Sequence, residues 1–245
     1  MKRSFTIMNN IKINIVFSAL LLLATASCSP DSKKPTDAAN KHAQWVNSLS
    51  DTLIKVRQEM SDNIMLIASL DSAINKLSSH FTKTSNPKLV ENYIVTNDFV
   101  NYDTESKTGM IARITEDNHF ELIATLKGGS FNQIMVSNGQ SAVESSVVEY
   151  DKALNHKIGS TNIVAFKDAK SDSIGRLINN NEAANLKLKF INKSTSQSVS
   201  LSAEQKSMIS RTWQYYNAIH EKERLERQSL LLSEKAKILE TRINQ

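Results

Sequence analysis

The sequence predicts an α+β protein. Two long helices form an antiparallel coiled-coil stalk around an inserted, mostly antiparallel β domain with one short helix. Three observations carry this expectation. A heptad pattern runs over residues 46–81, a second long amphipathic stretch runs over 203–243, and alternating apolar and polar residues broken by turn signals lie between them.

The first helix is read from two apolar series. One is Val46, Leu53, Met60, Ile67, Ile74 and Phe81; the other is Leu49, Val56, Asn63, Leu70 and Leu77. Ten of these eleven seam positions are apolar and no Gly or Pro interrupts them. Sustained heptads of this kind point to a coiled coil. At 1.5 Å per residue the segment spans about 54 Å. Pro87 follows the pattern and helps to end it. Asn63 is the polar exception in the seam. It reads as a register- or partner-setting residue, or as a tolerated polar group bonded to water or a neighbour. Ile64, Met65 and Leu66 widen the apolar face toward a further neighbour.

The second helix has a marked start. Ser202 is a suitable N-cap and Gln205 stands three residues later, a capping box. Ile209, Tyr216 and Ile219 form one stripe; Leu225, Leu232, Ala236, Leu239 and Ile243 form another. Between them, residues 220–228 (HEKERLERQ) carry mixed charge and read as a solvated face. Trp213, Tyr215 and Tyr216 are too closely spaced to share one seam. Tyr216 suits the stripe. Trp213 and Tyr215 read as packing where the inserted domain joins the stalk, or as contacts for a partner.

The middle of the chain alternates. Met110, Ala112 and Ile114 are followed by a polar 116–118 turn and then by Phe120, Leu122, Ala124 and Leu126, a hairpin pattern. Asn138-Gly139 is the strongest turn signal, joining strands at 132–137 and 140–150. Further strands are expected at 162–167, 186–192 and 197–201. A short helix at 172–179, capped by Ser171, turns Ile174, Leu177 and Ile178 to what is expected to be a single sheet. The expected organisation is therefore 1–27 signal peptide, 28–40 tether, 41–84 first stalk helix, 85–201 α+β head and 202–245 second stalk helix. Pairing of the helices between copies fits the same seam chemistry as pairing within one chain.

The N-terminus carries a basic stretch (Lys2, Arg3, Lys12) and then a mainly apolar run over only 15–26. That run falls short of the ~20 residues a membrane-spanning helix needs and reads as a secretory signal. It closes in Thr25-Ala26-Ser27-Cys28. These residues resemble a bacterial lipoprotein precursor, with Thr25 where Leu is usual. The resemblance covers about 28 residues. It implies that Cys28 is alkylated by diacylglycerol, becomes the new N-terminus and is then acylated. Cleavage after Ala24-Thr25-Ala26, leaving Cys28 a free thiol, and retention of the segment as an anchor are the alternatives. The polar stretch 29–40 is expected to be extended and unstructured, with Lys33 and Lys34 either resting on anionic headgroups or solvated. Ser29 is not the acidic residue that retains some lipoproteins in the inner membrane. The resemblance thus implies a lipid-anchored envelope protein on the periplasmic face of the outer membrane.

The formal charge is +5, but Lys2, Arg3 and Lys12 sit in the acid-free signal, leaving +5 − 3 = +2 for the remainder. The alkaline pI is thus no argument for nucleic acid, and none is expected as a partner. One cysteine excludes an intrachain disulfide and a Cys-rich zinc site. The five histidines include no HExxH pair, no G-x-S-x-G elbow occurs, and Gly128-Gly129-Ser130 lacks the lysine and spacing of a phosphate loop. No catalytic residue, metal site or cofactor is expected. The function expected is a non-catalytic binding or scaffolding module of the cell envelope. Its partners are the membrane, through lipid on Cys28, and an envelope protein or a second copy through the stalk. A small-molecule or glycan-binding lipoprotein and an envelope hydrolase are the alternatives. The first requires a concave pocket, the second a buried and strongly perturbed acid or histidine beside a cleft.

Overall fold

The computed structural model describes residues 37–86, 91–98, 107–193 and 195–245. Cys28 and most of the expected tether lie outside them. The elements in chain order are α1 (Asp37–Ser78), β1 (Phe81–Asn86), β2 (Glu91–Thr96), β3 (Gly109–Thr115), β4 (Phe120–Lys127), β5 (Gln133–Ser137), β6 (Ala142–Glu144), β7 (Asn155–Ile158), β8 (Thr161–Phe166), α2 (Ala169–Asn180), β9 (Lys187–Asn192), β10 (Thr195–Ser200) and α3 (Ala203–Ile243). The chain divides into two units, Met1–Trp45 and Val46–Gln245. Of the first, only the opening turns of α1 are described, where the His42 and Trp45 rings lie 5.9 Å apart. The strands, α2, α3 and the rest of α1 belong to the second.

The protein is α+β, as expected, but its strands form two antiparallel sheets rather than one. The larger has the order β1-β2-β3-β4-β8-β7 and the smaller β10-β9-β5-β6. Both supply one core. Met110, Leu122, Leu126 and Phe166 from the first sheet meet Ile134, Val136, Leu188 and Phe190 from the second, and Ile174 and Ile178 of α2 join them. Phe120, Phe166 and Phe190 are fully buried, each stabilising by about 1.5–3 kcal/mol relative to exposure. Leu177 packs only partly against this core.

Turn chemistry sets the hairpins. In β3–β4, Arg113 pairs with Glu121 and Ile114 with Phe120, and Asn118 takes a left-handed φ of 59°, which a short polar side chain tolerates. In β5–β6, Gly139 supplies the positive φ of 88°, and Asn138 Oδ1 accepts from the amides of Gln140 and Ser141. The second strand of that hairpin is shorter than the expected 140–150. Beyond β6 the chain turns inward, where Ser145, fully buried, accepts the Ile134 amide at 3.0 Å.

The cap of α2 also differs. Asp168 is the N-cap; its Oδ1 accepts the Lys170 and Ser171 amides, each at 3.0 Å. Ser171 instead closes the capping box from the third helical position. A carboxylate reaching two free amides starts the helix three residues before the expected 172. The Ser202–Gln205 capping box of α3 is present as expected.

The first helix begins at Asp37, so residues 37–40 are helical rather than extended, and it ends at Ser78. Phe81 continues the heptad count but belongs to β1, where its ring stacks on Tyr215 at 4.6 Å. Helices α1 and α3 run in opposite directions and touch. Leu53 and Val56 cluster with Leu232, Ala236 and Leu239. Arg57 pairs with Glu240 at 2.9 Å and Asp71 with Lys222 at 2.6 Å, and Gln228 donates to Glu59. Part of the charged 220–228 run therefore faces α1 rather than solvent. Among the described residues no helix is long and apolar enough to cross a membrane.

Candidate functional site

The alternation that builds the core also builds the opposite face of the large sheet. In β3, Met110 and Ala112 enter the main core and the buried Ile114 continues their alternation, so Ile111, Arg113 and Thr115 point the other way. In β4, Glu121, Ile123 and Thr125 do the same. This second face has two halves. One is apolar, where Ile111 and Ile123 pack under Met208 of α3, with Ile163 beside them. The other carries charge.

Pairing register aligns that charged half across the strands. Tyr93 of β2 is opposite Thr115, and Arg113 is opposite Glu121. The next step of the β4–β8 register, after Leu122 opposite Phe166, brings Glu121 level with Lys167. The Arg113 Nε donates to Glu121 Oε2. The guanidinium carbon sits 3.5 Å above the centre of the Tyr93 ring, a cation–π geometry. Burial is steep here. The Glu121 side chain is 3% exposed and that of Arg113 16%.

Above this row opens a cleft of about 390 Å³, walled by Ala153 and Leu154, by Glu116 and Asp117 of the β3–β4 turn, and by Lys167. A second hollow of about 410 Å³ adjoins it toward β1 and shares Asn92, Tyr93, Thr115 and Glu116. Asn92 Nδ2 donates to Glu116 Oε1 at 3.1 Å, linking β2 to the turn. The Thr115 hydroxyl donates to Asp117 and holds its carboxyl below the usual range. The nearby His119 and Lys167 act in the same direction. Asp117 is therefore an anion at neutral pH. The arrangement can do two things chemically. It offers the terminal nitrogens of a guanidinium whose Nε and ring face are already held, and it presents carboxylates and an ammonium around the same space.

A second group of titratable residues lies where α3 meets the head. The Tyr216 hydroxyl donates to Asp172 Oδ2 at 3.3 Å, and His220 Nε2–H donates to the Asn118 carbonyl at 2.8 Å. The His220 ring lies 4.3 Å from that of Tyr216. Burial raises the Asp172 carboxyl above its usual range, only partly opposed by the Tyr216 hydrogen bond. Burial and the Asp172 charge push Tyr216 up to about 12. These side chains fasten α2, α3 and the β3–β4 turn together, and none lines the cleft.

The residues singled out from sequence are scattered. Asn63 is buried in α1, and its Nδ2 has no hydrogen-bond partner; nor has Ser229 Oγ on α3. Trp213 is half-buried against the main core and lies beside Gly175. Tyr215 is half-buried and stacked on Phe81. None of the three borders the cleft. The cleft residues escape a reading of the sequence because three separate pairings assemble them. The one signal within reach is the hairpin. A turn at 116–118 places Arg113 across from Glu121, an opposite-charge pair. Among the described residues no group of three or more His, Cys, Asp or Glu side chains is placed to hold a metal ion. In comparisons with known proteins, no family model matches this chain, and neither a curated protein nor a solved structure matches it significantly.

Proposed function

We propose that this protein is a non-catalytic binding module of the bacterial cell envelope, anchored through lipid on Cys28, with a small polar ligand held in the cleft over Arg113. The observation that carries the reading is the floor of that cleft. A guanidinium fixed by Glu121 on one edge and by Tyr93 on one face is preorganised, so a ligand has little ordering left to impose on it. The volume falls within the range of small-molecule sites. A small-molecule ligand is favoured over a protein partner because the head is concave here, while Trp213 and Tyr215 spend their rings on internal packing. Binding is favoured over hydrolysis because the acid that burial perturbs upward, Asp172, stands outside the cleft. The α1–α3 pair acts as the coiled-coil stalk of the module. Its lipid anchor rests on the 25–28 lipoprotein motif, and its outer-membrane, periplasm-facing position on Ser29, where an acidic residue retains some lipoproteins in the inner membrane.

Two measurements test this. Metabolic labelling with a radioactive fatty acid should mark the wild-type chain and not Cys28→Ala; equal labelling sinks the anchor. Equilibrium dialysis of the full chain against a small-molecule extract of envelope fractions, read by mass spectrometry, should enrich a compound. Ala153→Trp, which fills the cleft from an exposed wall position, should abolish that enrichment. Equal enrichment by both proteins, or by neither, refutes the cleft as the ligand site.

A further inference from the structure

We infer that the cleft takes a small zwitterion, of the size of a free amino acid or an unblocked dipeptide. Its carboxylate lies toward Arg113 and Lys167 and its ammonium toward Glu116 and Asp117. This rests on the reading that the cleft is the ligand site.

The charges that line the cleft are of both signs. Two cations, Arg113 and Lys167, and three carboxylates, Glu116, Asp117 and Glu121, border the space. Glu121 is spent on the Arg113 Nε beneath the floor. That leaves the terminal guanidinium nitrogens and the Lys167 ammonium as the cations, and Glu116 and Asp117 of the turn as the anions, Asp117 with the Thr115 hydroxyl on Oδ1 and His119 Nε2 3.3 Å from Oδ2. Antiparallel strands lie about 4.8 Å apart, so β3 and the β8 end that leads to Lys167 stand two strand spacings apart, about 10 Å. The acids close the turn end of the cleft. A simple anion would meet Lys167 and Arg113 but also two carboxylates. A simple cation would meet the acids but also two cations. A neutral polar ligand can hydrogen-bond to these groups but neutralises none of them, and desolvating charge without a counter-charge is costly. A molecule carrying both signs pairs each wall with its complement. Two features of the acids fit an ammonium partner. Asp117 is kept ionised by its Thr115 hydrogen bond and nearby positive charge. Glu116 has one oxygen engaged by Asn92 and the other left to accept.

The test is isothermal titration of the full chain with four probes: L-alanyl-L-alanine, its N-acetyl form, its C-terminal amide, and maltose as a neutral compound. The unblocked dipeptide should bind, and blocking either terminus should weaken it at least ~10-fold, as expected when one partner of a charge pair is removed. Lys167→Met and Asp117→Asn alter exposed side chains and should leave the far-ultraviolet circular dichroism unchanged. Lys167→Met should weaken the unblocked dipeptide about 10-fold and leave the amide unaffected. Asp117→Asn should do the same with respect to the N-acetyl form. Equal affinity for blocked and unblocked probes overturns the inference, as does uniform weakening of every probe by both variants. Maltose binding that is lost in Ala153→Trp, with no dipeptide binding, overturns the ligand class and leaves the cleft as a binding site. Silence from all four probes overturns the class as well, and the dialysis with Ala153→Trp then decides the cleft separately.

Discussion

Replacing Gly175 by Ala is the sharpest single test of the core. Gly175 is buried in the middle of α2. Considered as a helix alone, the change should help, because Ala is favoured over Gly by about 1 kcal/mol in a helix interior. The packing opposes it. A Cβ at this position would stand 2.4 Å from Trp213 Cδ1 and 2.7 and 2.8 Å from Phe120 Cε1 and Cζ. All three approaches are closer than van der Waals contact allows. The Phe120 ring is fully buried and packed near Tyr216, so it has no free direction in which to yield. Overpacking of this kind costs about 1–3 kcal/mol. With three short contacts the upper half of that range applies, so the net loss is about 1–2 kcal/mol. For a unit of this size that lowers Tm by roughly 2–8 °C. Differential scanning calorimetry on the full chain measures it, with Arg176→Ala on the exposed face of the same helix as the control, expected within about 0.5 kcal/mol of wild type. Tryptophan fluorescence should shift as Trp213 is displaced. A Gly175→Ala protein more stable than wild type would mean that Trp213 does not close over α2, and the account of this corner of the core would fall.

The same geometry fixes four further outcomes. Asn63→Leu removes a buried amide with an unpartnered Nδ2 and should stabilise the α1–α3 contact by about 1–3 kcal/mol; destabilisation seen in urea titration would show that the amide is bonded. Asp168→Ala should cost about 1 kcal/mol through loss of the α2 cap, and Asp168→Asn should restore most of it in the same titration. Tyr216 is raised from 10 to about 12, so the folded state holds that proton more tightly than the unfolded state. Its contribution to stability is full below pH 10 and is lost as pH rises from 10 toward about 12; an alkaline absorbance titration should show one late-ionising tyrosine, absent in Tyr216→Phe. The Asp172 carboxyl is also raised, so its ionisation opposes folding as pH rises through the carboxylate range, and Asp172→Asn should flatten the stability–pH slope there.

The parts of the fold that are legible in the sequence rest on local chemistry. The Ser202–Gln205 box lies within one turn of α3, and the β3–β4 and β5–β6 hairpins are specified by Asn118 and by Asn138-Gly139 beside alternating residues. Three strands escape notice, β1, β2 and β7, and two of them carry weak patterns. β1 (FTKTSN) and β7 (NHKI) are mostly polar, and β1 opens on a phenylalanine that also satisfies the heptad count. Period alone does not tell whether Phe81 ends a helix or starts a strand; its stack on Tyr215, more than a hundred residues away, decides it. The division into two sheets is hidden for a related reason. β5 pairs with β9 and β4 with β8, and alternation says which face a residue takes but not which strand lies beside it. The cleft inherits that difficulty, because Tyr93, Arg113, Glu121 and Lys167 become neighbours only through three pairings at once.

The two long helices are not equals. α3 is pinned twice, by Ile209 in the main core and by Leu225, Leu232 and Leu239 further along, on one uninterrupted run of 41 residues. α1, at 42 residues, buries only Leu53, Val56 and the unsatisfied Asn63. Local opening is easiest where few apolar contacts must be broken. Of the two long helices, α1 is therefore the easier to detach while α3 keeps its place on the head. Such an opened form displays the Leu232–Ala236–Leu239 stripe for capture. The protein thus carries a releasable arm and a fixed spar, and hydrogen exchange would see the first exchange long before the second.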